Sequence, residues 1–216
     1  MKKILTIAIA GIMMLSGQAF GQGFTLKGKV SGVDEGKVTL QARGGSKYAT
    51  GIENGEFILK GKVKEASLHT IRIEGIRGSV QVFVENAQMT FTANKDDLRN
   101  AKVSGSKSHD VLAKYQELQM KLSEETMPAS KAFSEARKAK DEAKMDKAMK
   151  EYEAVKAKQE PVIEAFIKEN NKSITSAYIL SSMARNYKDP NKLEAAINSL
   201  DKSLDESTYV VNLKKT

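Results

Sequence analysis

The hydrophobic period of the chain changes once, near Ser106, and that change limits the folds open to it. Up to about Val103 apolar and polar residues alternate, as in Phe24-Thr25-Leu26-Lys27-Gly28-Lys29-Val30, Lys37-Val38-Thr39-Leu40-Gln41 and Phe57-Ile58-Leu59-Lys60-Gly61. Residues 68–73, 80–84 and 89–93 read the same way. A period of two sends successive side chains to opposite faces of a strand, one buried and one wet. Breaks at Ser31-Gly32, Gly44-Gly45, Asn54-Gly55, Gly75 and Glu85-Asn86 divide the stretch into six to eight strands. Glu53-Asn54-Gly55-Glu56 is a hairpin signal, because Asn and Gly tolerate positive φ. Short strands closed by tight turns predict an antiparallel β-sandwich or small barrel over residues 22–106.

Residues 107–216 follow a helical period, so the fold class is α+β. Ser108 reads as an N-cap, followed by an apolar stripe of Val111, Tyr115, Leu118 and Leu122. A heptad series of Met145, Tyr152, Gln159 and Phe166, with Ala148, Val155 and Val162 interleaved, gives a coiled-coil-like seam with one polar residue in it. Asp141 is placed to cap the second helix, which would turn the chain near residues 139–141 and make a long helical hairpin. One unbroken helix over 130–169 is the competing arrangement, with Pro128 and Pro161 as kinks or first-turn residues. Three shorter helices are expected after Ser173, after Asp189-Pro190 and over 205–213.

The first 21 residues have a different character. Lys2 and Lys3 precede an unbroken apolar run over 4–15, and small and polar residues follow to Gln22. This is the three-part pattern of a secretory signal peptide, with cleavage expected between Gly21 and Gln22. The run falls short of the ~20 apolar residues that a spanning helix needs, so no membrane anchor is expected in the mature chain. The whole sequence carries a formal charge of +8, and losing Lys2 and Lys3 leaves 33 basic against 27 acidic residues. In an exported protein such a surplus favours solubility or weak attraction to anionic envelope surfaces over nucleic acid.

Chemistry-bearing patterns are sparse. The sequence has no cysteine, so disulfides, thiolate metal sites and thiol nucleophiles are excluded for it. Ser104-Gly105-Ser106-Lys107 fits S-x-x-K in letters, but a glycine interrupts it at a strand-to-helix junction and its companion motifs are missing. Gly44-Gly45-Ser46-Lys47 is similar to a phosphate-binding loop, yet its order is wrong and it lies between strands. His69 and His109 stand far apart without neighbouring ligand residues. Asp96-Asp97 and Glu124-Glu125 read as solvated acids, while Tyr115, Tyr152, Tyr178 and Tyr187 read as packing residues. No catalytic, cofactor-binding or metal-ligating residue is therefore assigned, and the chain is expected not to be an enzyme.

Several of these segments together resemble a known family. Residues 24–30, 36–40 and 54–63 carry the resemblance, as do Val82-Phe83-Val84-Glu85-Asn86, Met89-Thr90-Phe91-Thr92 and Val103-Ser104-Gly105-Ser106. The long helices add to it, with Phe166-Ile167-Lys168-Glu169-Asn170 and residues 173–180. The family is the N-terminal domain of unknown function, of the DUF4369 type, that precedes the thioredoxin-like domain in exported thiol-disulfide oxidoreductases. Those relatives continue into a domain bearing Cys-x-x-Cys. This sequence ends at Thr216 without a cysteine, so the resemblance implies a scaffold and a periplasmic location but no redox activity. It implies a non-catalytic accessory module that binds a protein partner, either a separate thioredoxin-like protein or a second copy. Two other expectations stand beside it: a periplasmic holdase with a β body and basic helices, and a small-ligand binder.

Overall fold

The computed structural model describes residues 23–215, so the leader pattern of residues 1–21 lies outside them. Eight strands precede five α-helices. The strands are β1 (Phe24–Ser31), β2 (Glu35–Ala42), β3 (Lys47–Glu53), β4 (Glu56–Gly61), β5 (Ser67–Ile73), β6 (Val80–Val84), β7 (Gln88–Asn94) and β8 (Asp97–Ser104). All belong to one sheet in the order β6-β5-β2-β3-β4-β1-β7-β8. It curls until its two edges, β6 and β8, approach each other without a ladder between them. The predicted barrel is thus present, nearly closed.

Alternation does the building. Phe24, Leu26 and Val30 of β1 point inward, as do Val38 and Leu40 of β2, Phe57 and Leu59 of β4, and Met89 and Phe91 of β7. The Asn54-Gly55 hairpin forms as expected, with φ of 52° and 79° and Glu53 paired to Glu56. One expectation fails. The sheet is mixed, because β1 runs parallel to β7, with Thr25 opposite Gln88 and Lys29 opposite Thr92. β1 is a central strand, antiparallel to β4 on its other side. Alternation reports which face a residue takes and carries no information on the direction of a neighbour.

The helices are α1 (Lys107–Ala139), α2 (Glu142–Glu169), α3 (Ile174–Met183), α4 (Pro190–Asn198) and α5 (Thr208–Leu213). α1 and α2 form the helical hairpin and exclude the single long helix. Lys140 takes the left-handed conformation at φ 54°, and the Asp141 side chain caps α2 by accepting from the Lys144 N–H. Both helices run through their prolines, so the Glu124 and Ala157 carbonyls lose their usual intrahelical donors. Ser173 and Asp189 cap α3 and α4 as the sequence predicts. The cap of α1 is Ser106, not Ser108.

The hairpin seam also differs from expectation. In α1 the buried Ser108, Tyr115, Leu122, Ala129 and Ala136 recur every seven residues. In α2 the expected series departs at one position, Val162, and Phe166 rejoins it in the core. Val162 is 44% exposed and Ile163 takes its place, one residue on, in the helical core. That core joins Tyr115, Leu118, Ile163, Phe166 and Ile167 of the hairpin to α3, α4 and α5.

Candidate functional site

The sequence motifs disperse once folded. Ser104 Oγ is bonded to Thr90 Oγ1 at 2.6 Å on the outside of the barrel, so S-x-x-K builds no nucleophile with a lysine beside it. Gly44 and Gly45 make the turn between β2 and β3. His69 is buried in β5, where Nδ1 donates to the Ser67 carbonyl at 3.0 Å and Nε2 has no partner. His109 is buried in the first turn of α1. Burial depresses both imidazoles below their ordinary value of 6.5. Among the described residues no cluster of His, Asp or Glu converges as a metal would require. No helix among them is long and apolar enough to cross a membrane.

What the fold does assemble is a joint and an arm. The joint closes the open edge of the sheet. β6 has no strand beyond it, and the first turn of α1 supplies what a strand would have given. Ser106 Oγ donates to the Phe83 carbonyl at 3.1 Å, and the Phe83 N–H donates to His109 Nδ1 at 3.4 Å. Glu85 completes the turn by accepting from the Lys107 N–H at 2.6 Å and from Ser108 Oγ at 2.7 Å. A carboxylate there also meets the positive end of the helix dipole. The Phe83 ring faces away from the barrel core and packs with Tyr178 and Tyr209, centroids 5.6 and 6.4 Å away. Tyr209 Oη accepts from the Leu68 N–H at 3.4 Å, and Thr175 Oγ1 donates to the Ser108 carbonyl at 2.7 Å. Burial raises both tyrosine hydroxyl pKa values, so the cluster stays neutral. Tyr178 therefore packs as expected, but between the two halves of the molecule.

The arm is the part of α1 and α2 beyond the helical core. The last hairpin residues in that core are Leu118 and Ile163. Past them the helices lean only on each other, and the seam shrinks from Leu122 to Ala129, Ala136 and Ala148. At 1.5 Å per residue the arm reaches about 25 Å past Leu122. At its base Gln159 is buried, and Nε2 donates to the Leu122 carbonyl at 2.7 Å and to Glu125 at 3.0 Å.

A groove of about 550 Å³ runs along one side of the arm, lined by Gln119, Met120 and Thr126 of α1 and by Tyr152, Lys156 and Gln159 of α2. Met127 lies one heptad after Met120, and Met149 one heptad before Lys156, so both continue the same side. Met120, Met127 and Met149 are 61%, 58% and 41% exposed. A second groove, about 650 Å³, lies between α2 and α4, where Tyr187 donates to Glu164 at 3.0 Å. That hydroxyl is pushed far up by burial first and by the carboxylate next. Sequence reasoning singled out neither the methionines nor Glu85. The seven-residue spacing of Met120 and Met127 was the available signal.

Residues 24–112 match the family model described as Domain of unknown function (DUF4369). Over these residues the chain is similar to DUF4369 domains. The DUF4369 match runs past Ser106 to Leu112, so it takes in the turn of α1 that satisfies the β6 edge. No curated protein and no solved structure is significantly similar to the chain.

Proposed function

We propose that the protein is an exported, non-catalytic interaction module of the periplasm, in which the DUF4369-like body is the mount and the α1–α2 arm is the docking element. The observation that carries this reading is the row of exposed methionines beside the arm groove. Unbranched, polarisable side chains adapt to a partner's surface, and an alanine seam leaves the arm little apolar burial of its own. Export rests on the leader pattern of residues 1–21. The resemblance to domains that precede thioredoxin-like domains suggests a separate thioredoxin-like protein as partner, with a second copy as the alternative.

The same methionines favour one other reading, a holdase, since adaptable surfaces also serve many clients. A photo-crosslinking residue at Met127, with one at Thr92 as control, separates the two in cells. One near-stoichiometric partner captured from Met127 alone supports the accessory module. A spread of unfolded envelope proteins supports the holdase. Equal capture from both positions, or none from Met127, overturns the arm as the docking element.

A further inference from the structure

We infer that the outer face formed by β4, β1, β7 and β8 docks onto an anionic lipid bilayer. The register fixes the layout. Lys27 lies between Ile58 and Thr90, and Lys29 between Glu56 and Thr92, which pairs in turn with Lys102. Lys60 lies opposite Thr25 one row away. All four lysines are exposed. Strands about 4.8 Å apart and same-face residues about 7 Å apart spread them over roughly 15–20 Å, the scale of several lipid headgroups.

Charge on this face is one-sided. Its carboxylates gather towards one end: Glu56 is bonded to Lys29 at 3.3 Å, Glu53 of the neighbouring β3 pairs with Glu56, and Asp97 opens β8 opposite Asn94, while among the described residues Lys27, Lys60 and Lys102 have no ion-pair partner. Asp96 lies in the β7–β8 turn, outside the row of lysines. In the middle of the lysines stands Ile58, a branched aliphatic that is 50% exposed. Long-stemmed cations around one apolar foot on the convex outside of the barrel suit a surface that needs no relief to match. A bilayer bearing negative headgroups is such a surface, since it attracts basic residues within a Debye length and accepts a shallow apolar insertion. A protein partner would need a complementary shape. The inference stands on the β body and does not depend on the arm.

Vesicle co-sedimentation tests it, with the chain from Gln22, which contains every described residue. Vesicles of phosphatidylcholine alone and of phosphatidylcholine with phosphatidylglycerol are the two surfaces. Binding is expected only to the anionic vesicles and is expected to fall with salt. Each lysine is worth about five-fold in partitioning, so the triple variant K27E/K60E/K102E is expected to lose on the order of 100-fold or more. I58S is expected to weaken binding with the charge unchanged. The triple variant K131E/K138E/K150E, which makes the same charge change on the arm, is expected to bind normally. An unchanged melting temperature checks that each variant is folded. Equal loss in both triple variants, binding to neither vesicle, or binding only to soluble polyphosphate each overturns the inference.

Discussion

Ser106 carries more than its size suggests. It accepts from the His109 N–H at 3.0 Å as the cap of α1 and donates to the Phe83 carbonyl at the sheet edge. Ser106→Ala removes both bonds and is expected to cost about 1–2 kcal/mol, or roughly 3–6 °C in melting temperature by calorimetry. Gly105→Ala is expected to do more damage, because its φ is +84° and a Cβ would meet the Gln88 carbonyl oxygen. The two histidines set the acid limit. His69 Nδ1–H donates to a carbonyl, so a proton on Nε2 would add buried charge with no acceptor. His109 Nδ1 accepts from an N–H, and protonating it would break that bond. Both folded pKa values lie below 6.5, so the unfolded chain binds protons first. Stability is therefore expected to be full above about pH 6.5–7 and to fall as the pH drops through that value towards the folded pKa values. Thermal melts from pH 7.5 to 5 check this, and His109→Gln, whose amide oxygen can accept without titrating, should flatten part of the slope. The sequence reading places the cap at Ser108, whereas the structure places it at Ser106. What decides between them is Glu85, which engages the Ser108 hydroxyl across the β6–α1 junction, and no local spacing announces that.

Among the elements, the arm is where packing is thinnest. Ala129 and Ala136 let the α1 and α2 backbones come close, so a larger side chain has nowhere to go. Ala136→Leu is expected to splay the arm at a cost of about 1–3 kcal/mol. Hydrogen exchange should then quicken over residues 123–158 and stay unchanged in the sheet. Gln159→Leu is expected to leave stability nearly unaltered, since the change removes a buried amide together with its bonds. What it should loosen is register, read as broadened exchange behaviour in the arm. The hairpin itself was legible from Asp141, as α3 and α4 were from Ser173 and Asp189, because caps are local chemistry. The seven-residue series in α1 was not, since it passes from Tyr115 and Leu122 to alanines that hydrophobic pattern reading discounts. β3 and β8 were not singled out for a similar reason: β3 buries Ile52 fully and β8 buries only Leu98.

At the scale of the molecule there are two cores, and Phe83 ties them together through Tyr178 and Tyr209. A fragment of residues 22–106 lacks both the turn that satisfies β6 and the rings that cover Phe83. It is expected to associate through that edge, eluting from size exclusion as oligomer, while the chain from Gln22 to Thr216 unfolds in one transition. The parallel pairing of β1 with β7 has a consequence in time. A chain that is delivered N-terminus first presents β1 before any other strand, yet its neighbour β7 appears only after six others, and Thr25 cannot find Gln88 until then. The hairpins β2–β3 and β3–β4 can zip as they appear, whereas the middle of the sheet must wait for a long loop to close. During that interval one flank of β1 is an open strand edge, and a chaperone or a neighbouring unfolded chain competes for it with the protein's own β7.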